Sequence, residues 1–430
     1  MSARYFRKDE HKLEASHIRS FPRSTATNQE EVLHLAINQY TPLNNSSPKP
    51  GDITIIAAHA NAFPKELYEP LWDELLQRCE QYGFGIRGVW IADVAHQGQS
   101  SVLNEDKLGN DPAWLDHSRD LLHMVNTFRA QMPRPLFGVG HSMGGAQLAY
   151  LSLLHPRLFE SLVLIDPVIQ GRVSLLGNVS PAAASARRRE RWPSREEALK
   201  SFKKSKFYQT WDPRVLDLWV KHGLRDVPTK LYPDAKAPEV TLTTTKHQEV
   251  MTFLRPNFPA APGDTEPSSA EFTKTNLKLN RRTHPDLDPS DTPQAPFYRG
   301  ESTMIFNQLP HLRPSVLYVF GSESFLTKDP TIIEEKMRIT GSGVSGSGGH
   351  AEGRIASVIV QDAGHLIPME KVEETADHVG TWLQKEIIRY RDWDKKTKEE
   401  WGKKKGLERS VLSERFVEEL GNVMKKESKL

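Results

Sequence analysis

Residues 135–150 read PLFGVGHSMGGAQLAY, and this stretch decides the fold. An apolar run of one strand's length leads into a helix that starts with small residues, and Gly140-His141-Ser142-Met143-Gly144 lies at the junction. The pattern G-x-S-x-G at such a junction forms a sharp turn that lifts the serine hydroxyl clear of the sheet. Ser142 is therefore the predicted nucleophile; the alternative is a serine that only shapes the turn.

Apolar strands alternate with helical segments on both sides of this turn. Nearly continuous apolar runs are typical of strands that are buried on both faces of a parallel sheet. They are DITIIAAHA (52–60), GIRGVWIADVA (85–95), SLVLIDPV (161–168), PSVLYVFGS (314–322) and RIASVIVQDAGH (354–365). An earlier strand, EVLHLAINQY (31–40), alternates apolar and polar residues instead. We therefore predict an α/β fold with a mostly parallel, doubly wound sheet.

The alternation of strands and helices breaks in the middle of the chain, which divides it into four segments. Residues 1–169 and 313–390 are expected to form the two parts of the sheet domain. Residues 170–312 hold helical patterns and no buried strand, so we predict a mostly helical lid between the two parts. Within it, residues 255–298 are dense in proline and aspartate, which indicates a loop. Residues 391–430 are predicted to be a charged helical extension.

The composition argues against several classes of protein. With 57 Lys and Arg residues against 55 Asp and Glu residues, the net charge of +2 argues against a nucleic-acid partner. The single cysteine, Cys79, excludes a disulfide framework and a cysteine-based zinc site, and we expect it to be a small buried hydrophobe. No run of about 18 apolar residues is present, so no stable membrane insertion is expected. No metal or cofactor is expected either.

A serine nucleophile needs a base that takes its proton. Among the 16 histidines, His365 is the candidate because it follows the last apolar strand, and ligands and chemistry gather at the carboxyl ends of parallel strands. Serine, acid and then histidine is also the order along the chain that this type of sheet uses. The alternative for His365 is an ordinary histidine of a surface loop.

The acid that orients the base is missing from its usual place. That place is the loop after the strand 314–322, in a pattern G-x-x-D, and here the loop reads Gly321-Ser322-Glu323-Ser324. We assign the acid to Asp166, which closes the preceding parallel strand and can reach the same imidazole from the adjacent strand end. Glu323 is the rival because its side chain is longer and it lies one position from the usual one. Asp329 and Asp362 remain as further alternatives.

Two backbone amides are expected to stabilise the charge that develops on a carbonyl oxygen. The first is the N–H of Met143, at the start of the helix that follows the nucleophile. The second should come from the loop after the first buried parallel strand, which reads His59-Ala60-Asn61-Ala62-Phe63-Pro64. By position the donor is the N–H of Asn61, with Ala62 and Phe63 as alternatives.

Some polar residues near the predicted site are expected to be structural. His59 looks catalytic, but in such a loop it more often braces the backbone through hydrogen bonds. Asp93 and Ser100 belong to the turn DVAHQGQS (93–100), where we expect them to cap and pin a tight loop.

These motifs together resemble the lid-bearing branch of the α/β-hydrolase superfamily, over roughly residues 15–390. The narrower resemblance is to fungal peroxisomal hydrolases of secondary metabolism, of the AK-toxin-biosynthesis type and the type of the acyl-CoA hydrolase of mycophenolic acid biosynthesis. The matching stretches are HANAF (59–63), DVAHQGQS (93–100), GHSMGG (140–145), VLIDP (163–167), DAGHLIP (362–368) and the terminal SKL. One departure is His59-Ala60, where the family usually has His-Gly.

The resemblance implies hydrolysis of an acyl-CoA thioester, with a bulky acyl group bound between lid and sheet. A serine at position 142 excludes the related dehalogenases and epoxide hydrolases, which use aspartate there. Thioesters and esters need the same serine, histidine and acid, so a carboxylester or lipid hydrolase remains the alternative.

The lid supplies candidate binding residues. Arg187, Arg188 and Arg191 could hold the phosphates of coenzyme A as forked donors; the alternative is a solvated helix face. Phe63 and the lid residue Trp211 could line an apolar acyl pocket, although some lid aromatics are expected to be lid core.

The last three residues, Ser428-Lys429-Leu430, spell the peroxisomal address that an import receptor reads. The alternative is a chance end to a tail rich in lysine and glutamate. We expect a protein of the peroxisomal matrix whose charged extension presents this signal or packs on a second subunit in a homodimer.

Overall fold

A computed structural model describes residues 4–171, 175–257, 270–273, 276–279, 282–287 and 296–427. The chain divides into two compact units, Met1–Gln384 and Lys385–Leu430. The first unit holds the sheet and the inserted segment, and the second is helical where it is described. The predicted targeting signal at 428–430 lies outside the described residues.

The first part of the sheet domain alternates strands and helices, as the sequence predicts. Its strands are β1 (Phe6–Glu14), β2 (His34–Pro42), β3 (Ile53–Ala58), β4 (Ile86–Ala92), β5 (Leu136–His141) and β6 (Ser161–Ile165). Its helices are α1 (Glu69–Cys79), α2 (Gly98–Leu103), α3 (Asp116–Thr127) and α4 (Met143–Leu154). Every residue of β3, β5 and β6 is buried, because helices or other chain segments cover both faces of the sheet.

The inserted segment mixes short helices with short strands. The helices are α5 (Leu175–Arg187), α6 (Arg195–Lys204), α7 (Lys206–Gln209), α8 (Pro213–Leu218), α9 (Lys246–Phe253) and α10 (Glu301–Gln308). The strands are β7 (Arg191–Trp192), β8 (Leu224–Asp226), β9 (Val240–Leu242), β10 (Arg255–Pro256), β11 (Ala270–Thr273), β12 (Asn276–Leu279) and β13 (Phe297–Tyr298).

The second part of the sheet domain contributes two more parallel strands. They are β14 (Ser315–Gly321) and β15 (Ile355–Val360). The helices that follow the lid are α11 (Pro330–Ile339), α12 (Ile367–Glu370), α13 (Val372–Gly402) and α14 (Glu414–Glu427). Helix α13 continues from the first compact unit into the second. None of the described helices is both long enough and apolar enough to cross a membrane.

The central sheet has eight strands in the order β1-β2-β4-β3-β5-β6-β14-β15. All neighbouring pairs from β4 to β15 are parallel, whereas β2 runs antiparallel to both β1 and β4. The register aligns the strand ends, since Ala58 lies opposite Gly140 and His141 lies opposite Ile165. The loops that follow β3, β5 and β6 therefore leave the sheet at one edge, which confirms the predicted α/β fold.

Three local expectations need correction. The sequence analysis did not predict β1, whose mostly charged residues FRKDEHKLE pair with β2 at the edge of the sheet. It expected no buried strand in the lid, but β9 is fully buried and pairs with β7 and β8. It also expected a loop over residues 255–298, although β10 pairs with β13 and β11 pairs with β12. The strands of the inserted segment, β7 to β13, have two to four residues and are too short to produce a periodic pattern.

Candidate active site

The turn at Ser142 holds its side chain at the edge of the sheet. Ser142 has φ 57° and ψ −119°, and its N–H donates to the carbonyl oxygen of Ile165 at 2.8 Å. A Cβ atom on Gly144 would lie 2.2 Å from the carbonyl oxygen of Ala58, and one on Gly140 would lie 2.6 Å from the carbonyl oxygen of Gly144. Both positions therefore require glycine, because the start of α4 packs directly on the end of β3.

His365 lies beside this serine, on the loop that follows β15. Its Nε2 accepts the Ser142 hydroxyl at 2.8 Å, and its Nδ1–H donates to Oδ2 of Asp166 at 2.6 Å. Asp166 is fully buried, whereas about 20% of the His365 side chain is exposed. The three side chains thus form one continuous chain of hydrogen bonds, in which Ser142 and Asp166 are buried and His365 is partly exposed.

Asp166 reaches the imidazole from the end of β6. Its N–H donates to the carbonyl oxygen of Val319 on β14 at 2.7 Å, and its backbone has φ 39°. The rival Glu323 is exposed, and Asp362 is exposed as well. Asp329 accepts the N–H of Thr331 and so caps α11. Of the four candidate acids, Asp166 is the one that the structure brings to His365.

The contact of Ser324 with Asp166 was not predicted from the sequence. In the sequence, Ser324 is only the serine that occupies the last position of the G-x-x-D pattern, where the acid is usually found. In the structure its hydroxyl donates to Oδ2 of Asp166 at 2.5 Å, and only 1% of the residue is exposed. No sequence pattern marks this contact, because it depends on the distance between two loops that are far apart along the chain.

The two expected oxyanion donors lie at the start of α4 and in the loop after β3. Met143 is the first residue of α4. In the loop after β3, the N–H of Ala62 donates to Oε1 of Gln97 at 2.8 Å, and the N–H of Phe63 donates to the carbonyl oxygen of Ala60 at 3.2 Å. Among the described residues, no acceptor is found for the N–H of Asn61. The choice of Asn61 over Ala62 and Phe63 is thereby strengthened, since the other two amides are already engaged.

The side chain of Asn61 connects this loop to the lid. Its Nδ2 donates to the carbonyl oxygen of Glu249 on α9 at 3.1 Å, and its Oδ1 accepts a hydrogen bond from Nε2 of Gln97 at 2.7 Å. The same Gln97 amide nitrogen donates to Oγ1 of Thr252 on α9 at 3.1 Å. The loop is therefore fixed from both the sheet side and the lid side.

A second hydrogen-bond chain links the nucleophile turn to the loops beside it. His141 donates from Nε2 to the carbonyl oxygen of His365 at 2.9 Å, and its Nδ1 accepts the Tyr68 hydroxyl at 2.9 Å. The Tyr68 oxygen in turn accepts the N–H of Ala60 at 2.8 Å. Burial lowers the pKa of His141 to about 3, so the ring is neutral and serves as both donor and acceptor.

His59, Asp93 and Ser100 brace the loops, as the sequence analysis expected. Nδ1–H of His59 donates to the carbonyl oxygen of Ala60 at 2.8 Å, and its Nε2 accepts the N–H of Val94 at 2.9 Å. Asp93 accepts hydrogen bonds from the N–H and the ammonium of Lys65. The Ser100 hydroxyl donates to the Asp93 carbonyl oxygen at 2.9 Å. All three residues therefore stabilise the loops through these hydrogen bonds.

Aromatic side chains of the lid pack on the oxyanion loop. The ring centroid of Phe63 lies 5.7 Å from that of Trp211 and 5.9 Å from that of Trp219. Trp211 is buried and also contacts Tyr208. Phe63 and Trp211 are therefore in contact where the lid meets the sheet domain, and their role in lining an acyl pocket stays a prediction.

The three lid arginines do not form one free cationic cluster. Arg188 forms an ion pair with the buried Glu249 at 2.6 Å. Arg191 is paired with Glu239 and lies 4.6 Å from the ring centroid of Tyr232. Arg187 is exposed at the end of α5. A joint phosphate site built from all three is thus not preformed. Among the described residues, no group of three or more His, Cys, Asp or Glu side chains is arranged to hold a metal ion.

Comparison with known proteins identifies the family. Residues 55–378 match the alpha/beta hydrolase family, and the chain belongs to this family. It is 42% identical to the type I acyl-CoA thioesterase mpaH of Penicillium roqueforti, over 98% of this chain and 96% of that protein. It is 44% identical to the type I acyl-CoA thioesterase mpaH' of Penicillium brevicompactum, over 93% of this chain and 92% of that protein.

More distant relatives agree with this assignment. An abhydrolase domain-containing protein of Alternaria alternata, AFT2-1, is 30% identical over 59% of this chain and 85% of its own length. Among solved structures, the peroxisomal alpha-beta-hydrolase Lpx1 of Saccharomyces cerevisiae matches with a TM-score of 0.66 at 15% identity, over 99% of this chain and 98% of that chain. This last likeness supports the fold alone.

Proposed function

We propose that this protein is an acyl-CoA thioesterase that works through an acyl-enzyme on Ser142. The observation that carries the proposal is the hydrogen-bond chain from Ser142 through His365 to Asp166. The identity of 42–44% to type I acyl-CoA thioesterases over nearly the whole chain supports the choice of a thioester. The names of those relatives specify coenzyme A but no particular acyl group. The residues of the lid are the basis for proposing the kind of acyl group.

The first half of the reaction acylates the serine. His365 takes the proton of the Ser142 hydroxyl as the oxygen attacks the thioester carbonyl carbon. The N–H groups of Met143 and Asn61 stabilise the oxyanion, and Asp166 stabilises the imidazolium without taking its proton. The C–S bond then breaks, and His365 gives its proton to the departing sulfur. The products of this step are free coenzyme A and an ester of Ser142.

The second half releases the acid. Water takes the place of the thiol, and His365 takes a proton from it as the water oxygen attacks the ester carbonyl. The bond to Ser142 breaks, and the proton returns to the serine oxygen. Each turnover consumes one water and regenerates the hydroxyl, so the site needs no other reactant.

The lid aromatics favour a bulky, partly apolar acyl group. Phe63 of the loop after β3 forms one cluster of ring contacts with Trp211 and Trp219 of the lid. Aromatic side chains supply large apolar contact area with few rotatable bonds, which suits an acyl group of substantial size. Arg187, exposed at the end of α5, is the guanidinium of the three that we propose for a phosphate of coenzyme A.

We also propose that the protein works in the peroxisomal matrix. The final tripeptide Ser428-Lys429-Leu430 supports import by the receptor that reads this signal. Expression with a fluorescent protein at the amino terminus tests this. We expect punctate peroxisomal fluorescence that becomes diffuse when Leu430 is deleted, and diffuse fluorescence of the full chain would contradict the proposal.

Turnover and mass spectrometry test the proposed reaction. We expect the purified protein to hydrolyse bulky acyl-CoA thioesters faster than matched p-nitrophenyl esters of the same acid. An intact-mass increase equal to the acyl group should be seen in the wild type and be absent in Ser142→Ala. Preference for simple esters without any gain from coenzyme A would instead make the protein a carboxylester hydrolase. Activity retained in Ser142→Ala would overturn the nucleophile assignment.

A further inference from the structure

Ser324 occupies an unusual place in this site. It follows β14 in the position where sheets of this type usually carry the acid, and it is buried. Its hydroxyl donates to Oδ2 of Asp166 at 2.5 Å and accepts the N–H of Leu326 at 3.2 Å. Both hydroxyl functions are therefore used, one toward the acid and one toward its own loop.

We propose that Ser324 is a positioning residue for the reaction, whose hydroxyl holds the carboxylate of Asp166 in the orientation that His365 requires. The proposal rests on the proposed function, because it assigns Ser324 a task only if His365 acts as the base. Ser324 does not contact the nucleophile, so its action is exerted through Asp166.

The geometry of the carboxylate carries the argument. Oδ2 of Asp166 accepts hydrogen bonds from both His365 and Ser324, whereas no donor to Oδ1 is found among the described residues. The backbone of Asp166 is fixed by its bond to Val319, but the carboxylate can still rotate about its last bond. Two donors on one oxygen select a single rotation, so removal of Ser324 leaves His365 to hold it alone.

The electrostatic surroundings make this hydrogen bond matter. Asp166 is fully buried, and its charge acts on the buried Lys336 of α11. Burial lowers the pKa of Lys336 to about 8, an effect that the charge of Asp166 opposes. No hydrogen-bond partner of the Lys336 ammonium is found in the described part of the chain. Ser324 is then the neutral donor that solvates the carboxylate directly.

Substitution of Ser324 tests the proposal. We expect Ser324→Ala to lower kcat about tenfold with KM unchanged, because a hydrogen bond to a charged group is lost behind the substrate site. The carboxylate that loses a donor attracts the imidazolium more strongly, so the acidic limb of the kcat/KM profile should move up by about half a pH unit. Ser324→Thr keeps the hydroxyl and should restore both values.

Thr327→Val is the matched control. The Thr327 hydroxyl braces the same loop through the carbonyl oxygens of Gly321 and Ser324 and does not contact Asp166. We expect this variant to keep the wild-type pH profile. If Ser324→Ala and Thr327→Val give the same kcat and the same profile, Ser324 only shapes its loop and the proposal is overturned.

An exchange of the two residues provides a second test that does not depend on Ser324→Ala folding well. Asp166→Ser should be nearly inactive, and the double variant Asp166→Ser, Ser324→Asp should recover at least tenfold, because it places a carboxylate at the usual acid position. Absence of recovery in a folded double variant, judged by circular dichroism, counts against the proposal. Ser142→Ala is assayed beside these variants. If it is active, the proposed function fails; if it is inactive, failure of the Ser324 tests concerns this inference alone.

Discussion

Two of the three proposed catalytic residues have a positive φ, which is rare for residues other than glycine. Ser142 and Asp166 have φ values of 57° and 39°, and each directly follows a buried strand. Such conformations cost free energy in non-glycine residues, and they persist because the surrounding packing fixes them. The sequence predicted Ser142, His365 and Asp166 because each follows an apolar strand. It could not predict Ser324, since its task depends on a distance between two loops.

Substitution of Asp166 tests whether it is the acid that orients His365. Asp166→Asn should lower kcat roughly 10³- to 10⁴-fold, because an amide at this position favours the wrong tautomer of His365. The fold should be unaffected, which thermal unfolding will check. Glu323→Gln is the control, since the Glu323 side chain is exposed and no hydrogen bond between it and His365 is found among the described residues, and it should keep wild-type turnover. A large loss in Glu323→Gln with little loss in Asp166→Asn would reverse the assignment.

The elements that the sequence predicted best are those buried on both faces. Strands β3, β5, β6 and β14 are buried over their whole length, and the structure gives them within a few residues of the predicted bounds. Strand β1 was missed because an edge strand is paired on one side only and tolerates charge. The lid strands were missed because two to four residues are too few to show a periodic pattern, and pairing with other strands decides their structure.

The close packing of α4 on β3 leaves no room for a side chain at position 144. Gly144→Ala should lower the free energy of unfolding by about 3 kcal/mol, since the added methyl would meet the Ala58 carbonyl oxygen, a backbone atom that cannot rotate away. Urea unfolding followed by tryptophan fluorescence will measure this. Gly421→Ala is the control, because a Cβ atom there meets nothing within 4 Å on α14. Equal stability of the two variants would contradict the predicted clash.

The molecule as a whole buries several histidines in the neutral form. Burial is the first cause that lowers the pKa of each, to about 3 for His117 and His141 and below the usual value for His59 and His96. The unfolded chain binds protons to these rings near pH 6.5, while the folded protein does not. The stability that they contribute is therefore fully present above about pH 6.5 and is lost as the pH falls toward 3.

This sign leads to a prediction about acid stability. We expect the free energy of unfolding to fall by up to about 1.4 kcal/mol per pH unit for each such histidine between about pH 6 and 4.5. Urea midpoints at several pH values will measure the slope. His117→Gln should make the slope shallower by one proton, and the exposed His155→Gln is the control. A slope unchanged in His117→Gln would show that this ring is protonated in the folded state.

The hydrogen bond between Asn61 and the Glu249 carbonyl oxygen has a mechanical consequence. Helix α9 cannot move outward without breaking this bond, which is a direct contact of its backbone with the loop that carries the proposed Asn61 donor. Any outward displacement of α9 would therefore also disturb the loop on which we place the second oxyanion donor.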